Sequence, residues 1–572
     1  MFSAEVQRII LLVALAATGY LLILTWNDDY MQASAPTEHS QAPQVTGEAR
    51  DDVPGVGATT DTTDQISDVP DASLIGTETE TPQPSGLQAA ASNNDRLIEV
   101  RTPSLRVWID QLGGDFVRVQ LPGYPVAIDR PDVPFQLLDV GNGYTYVGQS
   151  GLIGPNGLDG SGQRPRFIST SKYYDIDEGV KSVVLSAVTE EGVTVRKIFD
   201  FAADDFLVKV RYEIDNARAE AFQASLFAQI KRDGREPPGS EGFSMGPQPY
   251  LGAALTTPES RYEKLELDDL DEGTFTTNVT GGWMAFLQHY FLSAWVAEPE
   301  ENNRYYGRRR SDGTYIVGYT GPLKTVAAGD TGKWQARFYA GPKDQKRLEQ
   351  IAPNLNLTVD YGFLWWLAVP LFTLLDWFNS VAGNWGVAII LLTILVKGLL
   401  YPLSAKSYKS MANMRRIAPQ MKKLQERHSD DRQKLSQEMM ALYKKEGASP
   451  LGGCLPMLLP MPIFIALYWV LYESVELRHA PFMLWIDDLA AMDPYFVLPL
   501  LMGASMYVQQ LLSPAVGDPM QVRMMKMMPV MFTVLFLFFP AGLVLYWLVN
   551  QVLGLAQQWW VIKQTEETTA QA

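Results

Sequence analysis

A chain of 572 residues with a net charge of −17 exceeds what one domain ordinarily holds, so more than one is expected. Residues 361–572 carry 16 basic and 14 acidic side chains, which leaves 31 and 50 to residues 1–360 and excludes nucleic acid as the partner of that acidic part. One cysteine, Cys454, excludes a disulfide framework and a thiolate cluster, and the scattered His39, His289, His428 and His479 offer no zinc spacing. No metal, cofactor or small-molecule substrate is therefore expected.

In chain order, residues 1–26 place Arg8 before an apolar run from Ile9 to Trp26, close to the lower limit of about 18 residues for a span. Ala14-Leu15-Ala16 resembles a signal cleavage site, but the apolar run continues beyond it, which favours an uncleaved signal anchor. Residues 27–95, rich in Thr, Asp, Pro, Ser and Gly, cannot bury enough apolar surface to offset ordering entropy and read as a disordered acidic linker. From 96 to 345 the pattern becomes short alternating runs, among them Leu105-Arg106-Val107-Trp108-Ile109 and Val193 to Phe199, punctuated by Gly, Asn, Asp and Pro. That is the pattern of a large all-β domain.

Residues 346–383 form a connection and a Trp-rich helix, Tyr361 to Phe378, whose Pro370 and Asp376 suit an interfacial rather than a spanning position. A second span is expected at 384–402, a charged helical hairpin at 403–453, and four more spans with short loops in 454–562, the last stretch divided by Pro540-Ala541-Gly542. Residues 563–572 form a tail. Segment 403–453 holds 11 basic against 5 acidic side chains, whereas loop 474–494 has Arg478 against four acids. By the positive-inside rule both termini and the hairpin are cytoplasmic and the β domain lies outside. The expected architecture is thus a polytopic α-helical membrane protein of six spans, five of them a core, with an inserted all-β domain.

Lys397, in the second span, is the most informative residue, because an ionisable group at mid-membrane costs about 3 kcal/mol on insertion scales. Snorkelling to the interface would account for it. Other polar residues favour a shared water-filled cavity: Thr393 lies one turn earlier, Gln509 and Gln510 end the fourth span, and Asn550, Gln551, Gln557 and Gln558 line the last. In the hairpin, Ser404 to about Arg427 and Arg432 to Glu446 read as two helices, with His428-Ser429-Asp430-Asp431 as turn and cap. Met411, Met414, Met421, Met439 and Met440, with the neighbouring Arg415, either hold the two helices together or form an adaptable recruitment surface. The basic charge suits anionic lipid or ribosomal RNA. The glycine-rich Gly151–Gly157 and Ala328–Lys333 lack the context of a phosphate loop, no nucleophile or metalloprotease motif is present, and His289 reads as a structural histidine.

Several blocks resemble the YidC/Oxa/Alb family of membrane protein insertases, in its Gram-negative form. They are Lys397 to Leu403, Ser436 to Tyr443, Ser449 to Pro456, Met461 to Phe464, Ser474 to Arg478, Asp518 to Gln521 and Pro540 to Trp547. The resemblance implies a β-supersandwich periplasmic domain and insertion of nascent membrane proteins without nucleotide hydrolysis, alone or beside the Sec translocon and its accessory subunits. It implies a hydrophilic groove open to cytoplasm and lipid, with Lys397 where the family commonly has Arg. Thr393, Tyr546 and Trp547 match substrate-contacting positions, and Gln509, Asn550, Gln551 and Gln557 would line the groove. The tail Lys563 to Glu567 lacks the basic extension of many members, which weakens the expected ribosome docking. A secondary transporter or channel, and an anchored carbohydrate-processing domain, are the rival readings.

Overall fold

The computed structural model describes residues 69–70, 94–141, 144–159, 164–189, 191–235, 249–428, 431–446, 460–512 and 519–571. The expected anchor, nearly all of the linker, Cys454 with the rest of the 449–456 block, and Ser429-Asp430 lie outside the described residues.

Strands between Leu97 and Pro342 form two sheets, of eleven and nine strands among the described residues. The larger runs from Phe275–Thr280 at one edge to Tyr173–Asp175 at the other, with Phe222–Asp233 near its middle. The smaller runs from Glu263–Leu265 to Ile168–Ser169 through Phe291–Val296, Thr331–Pro342 and Leu207–Asp215. Pairing is antiparallel except where Leu97–Arg101 meets Tyr173–Asp175. Both alternating runs noted above are strands whose apolar members alternate inward, Val107 and Ile109 in one sheet, Val195 and Phe199 in the other. Between the sheets, Phe116 stacks on Phe338 at 4.6 Å and Phe338 lies 4.7 Å from Trp295. The domain is therefore a sandwich with an aromatic centre.

The β domain also encloses charge. Arg164 is ion-paired with Asp115 and with Asp159 (2.5 Å), and Lys197, fully buried, donates to the carbonyls of Gly113 and Ser150 at 3.0 and 3.1 Å. Burial pushes the Lys197 ammonium down to about 7.

The helices are α1 (Leu267–Glu272), α2 (Gln345–Ile351), α3 (Trp365–Ala382), α4 (Trp385–Leu399), α5 (Tyr401–Arg427), α6 (Arg432–Lys445), α7 (Met461–Glu473), α8 (Val497–Leu512), α9 (Pro519–Phe536) and α10 (Ala541–Gln571). The hairpin follows the charge pattern: Asp431 caps α6 by accepting from the Lys434 amide at 3.0 Å. The expected break at Pro540 separates α9 from α10, and the amides of Ala541 and Gly542 are taken by the carbonyls of Ala491 and Leu489.

Six full-length spans do not emerge from the described helices. By length and composition one helix alone suffices, Gly362–Ala382, the segment expected to lie on the interface; α4 with Tyr401–Met421 passes only as a pair bent by 67°. The reason is length and polarity: α7 and α8 have 13 and 16 residues, below the roughly 20 of a full span, and α9 carries Arg523 and Lys526. Exposed Trp365, Trp366 and Trp377 give α3 its aromatic outer face.

The β domain rests on the loop after α7. Val475 joins the β-domain core. Arg478 donates to the carbonyls of Pro125 (2.6 Å) and Val126 (3.2 Å) while its guanidinium lies over Phe135, Tyr290 and Phe291. His289 Nε2 donates to the Tyr472 carbonyl at 2.9 Å, and burial near Lys343 pushes this imidazole down to about 3. His289 therefore holds a structural contact, as its sequence context suggested.

Candidate polar groove

Helices α4 and α10 lie side by side and run in the same direction. A Cβ on Gly542 would stand 3.3 Å from Ile389, and one on Gly554 would stand 3.4 Å from Lys397 Nζ. Lys397 thus points into the bundle and is only 6% exposed, and it has no hydrogen bond or ion pair among the described residues. Its position against α10 differs from that of a lysine snorkelling along the outside of its helix.

Gly554 is the centre of the arrangement. The same virtual Cβ would lie 3.4 Å from the Tyr408 hydroxyl and 4.0 Å from Gln509 Nε2. An ammonium, a phenol and an amide from α4, α5 and α8 therefore converge on a helix position without a side chain. Any side chain longer than a methyl would fill the space they share.

The remaining predicted residues divide around this node. Thr393 is buried one turn earlier, its hydroxyl donating to the Ile389 carbonyl at 2.7 Å. On α10 the inward face runs Asn550, Gly554, Gln558; Gln551 and Gln557 are only half-buried. Gln558 Nε2 reaches Met411 Sδ at 3.3 Å, which ties α10 to α5. Tyr546 and Trp547, two turns up α10 from Gly554, are buried in an aromatic cluster where Phe464 meets Trp547 edge-on at 4.6 Å. Met414 and Met421 pack with Met439, Leu442 and Tyr443 in the hairpin seam, whereas Met440 is 66% exposed. Arg415 lies on α5, its side chain outside the described residues.

Five buried polar atoms of this half find no partner among the described residues: Gln510 Oε1, Tyr546 Oη, Trp547 Nε1, Gln557 Oε1 and Gln558 Oε1. A buried polar group without a hydrogen bond costs about 1–3 kcal/mol. Such groups persist where water or a polar ligand reaches them. No cluster of three metal-ligating side chains occurs among the described residues.

Sequence reasoning missed Tyr408 and Gly554. Tyr408 sits at the start of a helix that reads as charged and cytoplasmic. Its burial shows only in the stripe Ser404, Ser407, Tyr408, Met411, Met414, Ile417 and Met421 at helical spacing. Gly554 had one available signal, being the small residue midway between Asn550 and Gln558.

Residues 97–374 match the family model described as the YidC periplasmic domain, and residues 377–568 match that of the 60Kd inner membrane protein. The chain is 48% identical over 572 residues to the membrane protein insertase YidC of Pseudomonas putida strain W619, covering 99% of this chain and all of that one. The chain belongs to the YidC family of membrane protein insertases. The YidC of Pseudomonas entomophila strain L48 is 47% identical over 570 residues, covering 99% of this chain and 100% of its own. A crystal structure of an active YidC insertase with its first transmembrane domain resolved aligns with a TM-score of 0.37 at 18% identity, covering 81% of this chain and 92% of that one. As a YidC-family member the chain is an inner-membrane insertase, not an enzyme, and its β sandwich is a periplasmic domain.

Proposed function

We propose that nascent membrane proteins enter the bilayer through the space around Lys397, bounded by α4, α5, α8 and α10. The observation that carries this reading is a buried lysine with no hydrogen bond or ion pair among the described residues, facing a glycine, a phenol and an amide. The ammonium must be hydrated or neutralised to be tolerated there, and an acidic segment of a substrate supplies a counter-charge. Arg at this position would add a bidentate fork; Lys offers a point charge, sufficient for electrostatic attraction.

In this reading a hydrophilic substrate end enters the wet groove from the cytoplasmic side while its apolar segment passes along α4 and α10 into lipid. Transfer of that segment drives the step, at about 25 cal/mol per Å² of apolar area. Short helices thin the bilayer locally and shorten the polar path. Thr393, Tyr546 and Trp547 contact the passing segment; Gln509, Asn550, Gln551 and Gln557 hydrate the hydrophilic end.

The topology proposed is six spans, with the N-terminal anchor first and both termini cytoplasmic. It is supported by the basic hairpin and the acidic loop 474–494. The parallel course of α4 and α10 agrees with it. The hairpin would meet the ribosome or anionic lipid through its basic charge, Arg415 included, and varied partners through the exposed Met440, while Met411, Met414 and Met439 are taken up in packing. Work beside the Sec translocon is carried by family resemblance.

The test is a photoreactive residue at position 393, 551 or 557 in ribosome-bound insertion intermediates. Cross-links to the substrate are expected at all three, to its apolar segment at 393 and to its hydrophilic end at 551 and 557. Cross-links to lipid alone would remove the groove.

A further inference from the structure

Away from the groove, a cavity of about 480 Å³ opens where the β domain meets the outer end of α7 and the segment around Thr358 and Asp360 that leads into α3. Its volume falls within the range of small-ligand sites. Two ion pairs are set in its wall: Lys264 with Asp360 at 2.5 Å, and Lys343 with Glu473 at 3.1 Å, the second almost fully enclosed. Glu266 and Asp268 also line it, so two cations face four carboxylates. Lys264 Nζ stands 5.0 Å from the Tyr250 ring centroid, and Tyr262 and Trp469 supply further aromatic wall. The Tyr262 hydroxyl is buried there without a hydrogen-bond partner among the described residues.

The site's level is marked by tryptophans. Trp469 lies one turn before the end of α7, and a Cβ on Gly362 would touch its indole at 3.4 Å. The exposed Trp365 and Trp366 follow within one turn of Gly362. Clustered tryptophans at a helix end mark the headgroup layer of a bilayer.

The charge balance selects the ligand. With Asp360 and Glu473 paired to lysines, Glu266 and Asp268 leave the wall net negative, which disfavours an anionic headgroup, and aromatic faces attract an organic cation. An ammonium also donates the hydrogen bond that the orphaned Tyr262 oxygen can accept, while Lys264 offers a partner to a neighbouring phosphate. We propose that this cavity holds the phosphoethanolamine headgroup of a phospholipid from the periplasmic leaflet. The proposal rests on the reading that α7 crosses the membrane, and not on the groove.

The experiment is native mass spectrometry of the full-length protein, delipidated and then exposed to equimolar phosphatidylethanolamine, phosphatidylcholine and phosphatidylglycerol in mixed micelles. One phosphatidylethanolamine is expected to be retained at least fivefold over either competitor. Tyr262→Phe and Glu266→Gln, singly and together, should erase that preference; the melting midpoint, measured alongside, should not move. Equal retention of the three lipids, or an unchanged preference in the double variant, would overturn the site. Displacement by soluble glycerophosphoethanolamine at the same concentration would overturn the lipid source. The readout is a bound mass, so preference retained in Lys397→Ala alongside lost insertion, or the reverse, separates this proposal from the groove.

Discussion

The β domain and the helical half both bury lysine, and they treat it in opposite ways. Lys197 is enclosed with Arg164, Asp115 and Asp159 and donates to two carbonyls. Lys397 sits in its bundle with no hydrogen bond or ion pair among the described residues, facing Gly554. A buried ammonium whose hydrogen bonds are met, beside two carboxylates, is part of the fold, because removing it strands the carbonyls it satisfied and upsets the charge balance of its neighbours. A buried charge left unpaired does nothing for the fold that a methionine could not do, so its retention points to the substrate.

The sharpest way to break that contrast is to replace each lysine by methionine. Lys197→Met should destabilise the β domain by about 3–5 kcal/mol, read from denaturant unfolding of the full chain. Lys397→Met should leave the unfolding midpoint unchanged or raise it, because it removes a desolvation cost. If both variants melt alike, the distinction between the two lysines is wrong.

Next in size is the effect on insertion. Lys397→Glu should lower insertion of substrates with acidic translocated ends by tenfold or more, about 1.4 kcal/mol, while Lys397→Arg retains it. Pulse-labelled protease protection measures both. A smaller effect is expected at Gly554. Ala fits at ordinary contact distance and should be tolerated, whereas Leu should reach the Lys397 ammonium and the Tyr408 hydroxyl and reduce insertion several-fold. Equal insertion by the Ala and Leu variants would remove Gly554 from the groove.

A separate effect, read from pH rather than from insertion, concerns the seam between the halves. Burial holds the His289 imidazole at about 3, below its ordinary 6.5, so the unfolded chain binds the extra proton between those values. Stability is therefore lost as pH falls from 6.5 toward 3. The wild-type melting midpoint should drop more steeply over pH 6.5 to 4 than that of His289→Asn; parallel slopes would contradict the burial of this ring.

The legibility of these features follows the range of the interactions that make them. Alternation at Leu105–Ile109 and Val193–Phe199, the Asp431 cap and the Pro540 break are local, and each appears in the structure where the pattern places it. Sheet order is set by contacts between distant strands, such as Phe116 against Phe338, and no local pattern encodes it. The same holds for the node. Lys397 stands out as a charge in an apolar run, but Tyr408 and Gly554 acquire meaning only when α4, α5 and α10 come together. The block Ser474 to Arg478 carried family resemblance without a reason; docking of Val475 and Arg478 into the β domain supplies one. The least legible helix was the Trp-rich one, whose Pro370 and Asp376 suit the interface although Gly362–Ala382 is long and apolar enough to span.

The most direct test of the central claim is protease protection of a small Sec-independent substrate in cells depleted of this protein and supplied with wild-type or Lys397→Ala chains at equal levels. The account predicts that wild type restores insertion and the Ala variant does not. Full restoration by the Ala variant would contradict the charged groove.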